Sequence, residues 1–229
     1  MTSHLDNPIW NALNSVDKAK NIGSKDFAFF DEAISPFIGM QFWDEKSQRE
    51  LLTNVPQNRT WFLLLADKIN FIDEIEVVSS VPLFQFVCPK LGVSPSFKKN
   101  NQLISLNSTH IDEMIALTKL TKPGPFAKRT IEFGNYHGIF AEDKLVAMGG
   151  ERLHVNGFSE VSAICTYPEF RGLGYGAMIT HFLSESIIKK GQTPFLHVRV
   201  ENASAINVYQ KLGFEIRSEI QFYMIRKRG

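Results

Sequence analysis

One stretch limits this chain more than any other. A strand-like run from Phe158 to Cys165 leads into the turn Arg171-Gly172-Leu173-Gly174-Tyr175-Gly176-Ala177, which opens a helix with apolar residues at Tyr175, Met178, Ile179, Phe182 and Leu183. A helix N-terminus carries unpaired backbone N–H groups and a positive partial charge. Residues without side chains let a phosphate come close to that backbone, and Arg171 can add a charge-assisted bond. Taken alone, the turn is equally well explained as close packing between strand and helix. A nucleotide P-loop is excluded, because Gly176 is followed by Ala177 and Met178 instead of Lys and Ser/Thr. A dinucleotide fingerprint fits poorly: the spacing is G-x-G-x-G, and too little chain follows Glu201 to complete a doubly wound sheet without upstream strands.

A second block separates these readings. Leu196 to Val200 has the composition of a buried strand, and Glu201 to Phe214 follows as a short helix. Asn202 or Ser204 can cap its start, and Gly213 is placed to end it. The two blocks together resemble the GNAT superfamily of acyl-CoA-dependent N-acyltransferases, over roughly Gln102 to the C-terminus. The resemblance implies that Arg171, Gly174 and Gly176 cradle the CoA pyrophosphate, with Gly172, Leu173, Tyr175 and Ala177 as neighbouring backbone. It implies that Ile164, Cys165 and Thr166 pair with the pantetheine arm, and that Asn202 contacts the cofactor. Tyr209 corresponds to the tyrosine that faces the thioester sulfur and protonates the leaving thiolate.

The implied reaction is direct attack of a primary amine on acetyl-CoA or another acyl-CoA, with no protein nucleophile. The acceptor is expected to be a small-molecule or amino-acid amine, a peptide or protein amine being the alternative. A base or water relay must take the amine proton. Glu151 is the chosen residue, with Glu132, His154 and Glu160 behind it. Cys165 reads as a strand residue whose backbone serves the cofactor, because no His and acid are spaced to activate it. A rival of another class is a CoA-binding sensor or scaffold that keeps the cradle and lacks transfer.

The expected fold is mixed α/β, with a largely antiparallel sheet flanked by helices. A hairpin is expected across Glu142-Asp143-Lys144, a tight turn at Asn156-Gly157, and a helix stop at Lys122-Pro123-Gly124-Pro125. The polar connector from Val93 to Asn101 suggests a division into an N-terminal α/β domain, 1–100, and an acyltransferase domain, 101–229. The front part resembles the poorly defined N-terminal half of two-domain members, including the glycine N-acyltransferase-like branch, and is expected to wall the acceptor cleft or meet a partner.

The net charge of +1 gives no overall field to attract nucleic acid or anionic lipid. The two cysteines lie far apart, as expected of a reducing, cytoplasmic setting, and the six histidines show no metal-ligand spacing, so no metal is expected. The N-terminus lacks a signal-like pattern and the longest apolar run, Trp61 to Ala66, is too short to span a bilayer. A monomer or homodimer is expected.

Overall fold

In the computed structural model, which describes residues 3–95 and 102–229, one eight-stranded sheet organises the chain. The front part contributes α1 (Pro8–Leu13), the small pair β1 (Phe27–Phe29) and β2 (Ile38–Met40), α2 (Glu45–Asn54), β3 (Trp61–Leu65) and β4 (Ile75–Val87). Next come β5 (Ile104–Ser105), α3 (Ile111–Thr121), β6 (His137–Ala141), β7 (Lys144–Val155) and β8 (Phe158–Thr166). The chain ends with α4 (Tyr175–Lys189), β9 (Thr193–Arg199), α5 (Ala203–Lys211) and β10 (Glu215–Lys227). The sheet order is β3-β10-β4-β9-β8-β7-β6-β5, antiparallel throughout except between β8 and β9.

Local chemistry accounts for the borders of these elements. Glu142 and Asp143 both adopt positive φ, 48° and 61°, the mirror-image turn whose twist matches that of the β6–β7 hairpin. The Asp44 carboxylate accepts from the Ser47 N–H at 2.8 Å and starts α2. Lys122 ends α3 in the left-handed conformation, φ 50°, and Pro123 then prevents the helix from resuming.

The expected division near residue 100 runs through this sheet. Part of the connector, 96–101, lies outside the described residues, but strands from before it and after it are hydrogen-bonded to one another. β10 lies between β3 and β4, and β4 also pairs with β9, from Leu83↔Arg199 to Val87↔Phe195. The largest apolar cluster likewise joins Leu5, Ile9, Phe30, Phe37 and Leu64 of the front part to Met114, Leu153, Phe195 and Ile220. Apolar area buried between the two parts stabilises both at once, at about 25 cal/mol per Å². The front hundred residues therefore supply two strands, β3 and β4, to the common sheet, and keep only the small β1–β2 pair to themselves.

Candidate active site

Two neighbouring strands that separate create the site. β8 and β9 pair in parallel from Phe158↔Thr193 to Glu160↔Phe195 and no further. β9 stays with β4 up to Arg199, whereas β8 stays with β7 up to Thr166. A bulge bends β8 within this unpaired stretch: Met148 faces Cys165 and Gly150 faces Ser162, which leaves one extra residue on β8. Ala163 there has φ 55°, a conformation costing on the order of 1–3 kcal/mol for a residue with a side chain. The bulge drives Ile164 onto Gly149, where a Cβ would stand 2.3 Å from the Ile164 Cδ1. Glycine at 149 is what lets β8 bend. Beyond Glu160, backbone groups on the β9 side of β8 have no strand partner among the described residues.

The glycine turn lies beyond the end of β8. Gly172 and Gly174 have φ 78° and 83°, which residues with side chains rarely adopt. Gly174 is the residue before α4 and offers no side-chain cap. The first N–H groups of α4 are thus left for a ligand, at the positive end of the helix. Gly172, Gly174 and Gly176, with Arg171, Tyr175 and Ala177, border a cavity of about 720 Å³ that also touches Ile164, Cys165 and Thr166. Leu173 is 56% exposed and does not border it.

The start of α5 closes the other side. Asn202 accepts from the Ala205 N–H at 3.2 Å, so its side chain caps α5 as well as bordering the cavity. Seven residues on, Tyr209 borders the same cavity. Burial pushes the Tyr209 phenol up to about 12, which keeps it protonated at neutral pH. Burial also pushes the Cys165 thiol up to about 12, despite a bond with Thr121, which keeps it in the protonated, unreactive form at neutral pH. Among the described residues no His, Cys, Asp and Glu side chains gather as a metal cluster, and no helix is long and apolar enough to cross a membrane.

Glu151 is not brought to this site. It lies 2% exposed, does not border the cavity, and is bonded by Asn135 Nδ2 at 2.5 Å, Lys190 Nζ at 3.0 Å and His154 Nε2 at 3.2 Å. Burial pushes its carboxyl up, but these partners outweigh burial and bring it down to about 2, leaving a poor proton acceptor. Lys190 and Ser186, whose hydroxyl accepts from Asn135 Nδ2 at 3.4 Å, belong to the C-terminal end of α4, whereas the cavity lies at its N-terminal end. Glu132 is tied to exposed Arg129 at 2.5 Å.

His154 is a second member of that remote network. Burial lowers its affinity for a proton, but Asp17 and Glu151 more than compensate and raise it to about 9. A raised histidine contributes stability that is complete below its ordinary value of about 6.5 and is lost as pH rises through about 9. Thermal melts should therefore weaken between about pH 6.5 and pH 9, by on the order of 2–3 kcal/mol. His154→Gln should flatten that slope; an unaltered slope in the variant would place its origin elsewhere.

The residue beside Glu151 does reach the cavity. Arg152 borders it, with Nε donating to Glu160 Oε2 at 2.8 Å and Nη2 to Glu160 Oε1 at 2.5 Å. Glu160 is fully buried, and His197 Nδ1 lies 2.7 Å from its Oε1. Burial pushes the Glu160 carboxyl up, yet Arg152 and His197 prevail and hold it well below the usual range. The network continues from His197 Nε2 to Gln85 Nε2 at 3.0 Å, from Gln85 Oε1 to Arg217 Nη1 at 2.6 Å, and from Arg217 to Asp6. The front part supplies Phe37, Leu64, Val81 and Leu83 to the lining of the same cavity, with the Phe37 ring against the Arg152 guanidinium. None of these was marked by a motif; strand alternation around Glu151 was the one available signal for Arg152.

A parallel pair that separates beside an uncapped, glycine-led helix, within a largely antiparallel sheet, is the fold of acyl-CoA-dependent N-acetyltransferases. A family profile described as FR47-like protein matches residues 136–223. A solved GNAT-family structure from Novosphingobium aromaticivorans is 30% identical, covers 100% of both chains and superposes with a TM-score of 0.90. The chain belongs to the GNAT family. A GCN5-related N-acetyltransferase from Kribbella flavida shares the fold at 18% identity, with a TM-score of 0.57 over 87% of this chain and 77% of that one. The mycothiol acetyltransferase of Mycolicibacterium smegmatis is 34% identical over 71 residues, or 29% of this chain and 24% of that protein. The chain thus spans about a quarter of the length of the curated relatives it matches.

Proposed function

We propose that this protein transfers an acetyl group from acetyl-CoA to the primary amine of a small molecule or amino acid. The observation that carries this reading is the continuity of one cavity from the uncapped start of α4, along the unpaired part of β8, to Tyr209. The N–H groups at the start of α4 and Arg171 suit a diphosphate. The free edge of β8 at Ile164, Cys165 and Thr166 suits the amides of a pantetheine arm. Acetyl-CoA, when bound, supplies the thioester that the amine attacks.

Tyr209 holds a proton at neutral pH and is the group that delivers it to the departing sulfur. No Asp or Glu among the described residues borders the cavity, so the amine proton is assigned to solvent water. Glu151 has no part in this reading. The test follows free thiol appearing from acetyl-CoA in the presence of amino acids, polyamines and peptides. Acyl transfer predicts amine-dependent thiol release; tight acetyl-CoA binding with no release for any amine would establish a sensor instead.

A further inference from the structure

The acceptor end of the cavity has a charge pattern that the cofactor does not explain. Among the described residues, the charged side chains bordering the cavity, Lys122, Arg152, Arg171 and Arg199, are all basic. Arg171 belongs to the glycine turn, and Arg199 lies 3.4 Å from Glu201 at an exposed position. Arg152 is different because it is only 9% exposed, and its guanidinium lies 4.8 Å from the centre of the Phe37 ring. Its Nε and Nη2 are held by Glu160. Nη1 has no hydrogen-bond partner among the described residues, and it lies 3.8 Å from where a Cβ on Gly124 would stand. Glycine at that position leaves the Nη1 side of the guanidinium uncovered.

A fixed guanidinium edge with open N–H donors suits a carboxylate, which accepts such bonds in a plane. Glu160 holds the arginine in place and, with the two donors it occupies, fixes which donors remain. A polyamine or lysine side chain would bring positive charge to a basic wall that, among the described residues, has no carboxylate to receive it. Phe37, against which the guanidinium lies, borders the cavity together with the apolar Leu64, Leu83 and Phe222. We propose that the acceptor is an amino acid with an apolar side chain, its carboxylate bound by Arg152 and its side chain against these apolar residues.

This rests on the acyl-transfer reading above and names its substrate class. The amine nitrogen bonds to the acyl carbon as the carbon–sulfur bond breaks. Solvent takes the amine proton, Tyr209 protonates the sulfur, and the carboxylate is unchanged.

The experiment compares L-leucine with leucinamide, spermidine and L-aspartate as acceptors, following thiol release from acetyl-CoA. Leucine should exceed leucinamide in kcat/KM by about tenfold to hundredfold, the usual effect of one lost hydrogen-bonded charge contact. The amide has the more easily deprotonated amine, so basicity works against this order. Arg152→Gln combined with Glu160→Gln, which removes both charges together, should bring the leucine-to-leucinamide ratio close to one. Equal rates on leucine and leucinamide, or faster transfer to spermidine or aspartate, would overturn the proposal and leave acyl transfer standing. Absence of thiol release with every amine overturns the acyl-transfer reading and this proposal together.

Discussion

Tyr209→Phe is expected to lower turnover by about 10² to 10⁴, the contribution of a positioned general acid, with acetyl-CoA affinity little changed. The substitution removes one oxygen and keeps the ring, which lies with its centroid 6.0 Å from that of Phe214 and 6.3 Å from that of Phe86. Folding should therefore be preserved, and the effect should fall on kcat with KM for acetyl-CoA steady. Steady-state kinetics with the acceptor at saturation check this. A variant that transfers acetyl groups at the wild-type rate would return Tyr209 to a packing role in α5.

The second large effect is on stability. Glu160→Gln should cost about 3–5 kcal/mol, because it leaves the Arg152 guanidinium buried without its counter-charge. For a chain of this length that corresponds to a fall in Tm of roughly 10 °C. The double variant at Arg152 and Glu160 should recover part of the loss, since a neutral pair leaves no unpaired buried charge. The pH dependence has a fixed sign. Glu160 is depressed in the folded state, so its contribution is present above its ordinary value of about 4.5 and is lost as pH falls below that. Melting of Glu160→Gln within a degree of wild type would show that the ion pair contributes nothing net.

The front part of the chain illustrates why some features could not be read in advance. Trp61 to Leu65 and Val81 to Val87 are legible as strands from their apolar content, and both are strands. Nothing in either run says that β10, more than a hundred residues later, inserts between them. Strand partners are chosen by the fit of whole faces, a non-local quantity. For the same reason Phe37 and Leu64, without any motif, come to border the cavity.

The residue chosen as base stands next to the one that borders the cavity. Glu151 and Arg152 are adjacent on β7, and successive side chains of a strand point to opposite faces. Which face meets the cavity depends on register, and β7 carries its own irregularity there, with Glu151 opposite Val161 but His154 opposite Ser159. A pattern in sequence can suggest that two faces exist without saying which one the cofactor meets.

The glycine turn was decided by sequence alone. Its backbone needs φ values near 80° at Gly172 and Gly174, its helix begins without a side-chain cap, and both conditions are local. The same holds for the Asn202 cap and the Glu142-Asp143 turn, where a few neighbouring residues fix the conformation. Tertiary structure decided what surrounds that turn: the parting of β8 from β9, the removal of Glu151 to the far end of α4, and the meeting of Arg152 with Phe37 from the front part. Each depends on pairing and packing between segments distant in the chain, whose energies no short stretch of sequence contains.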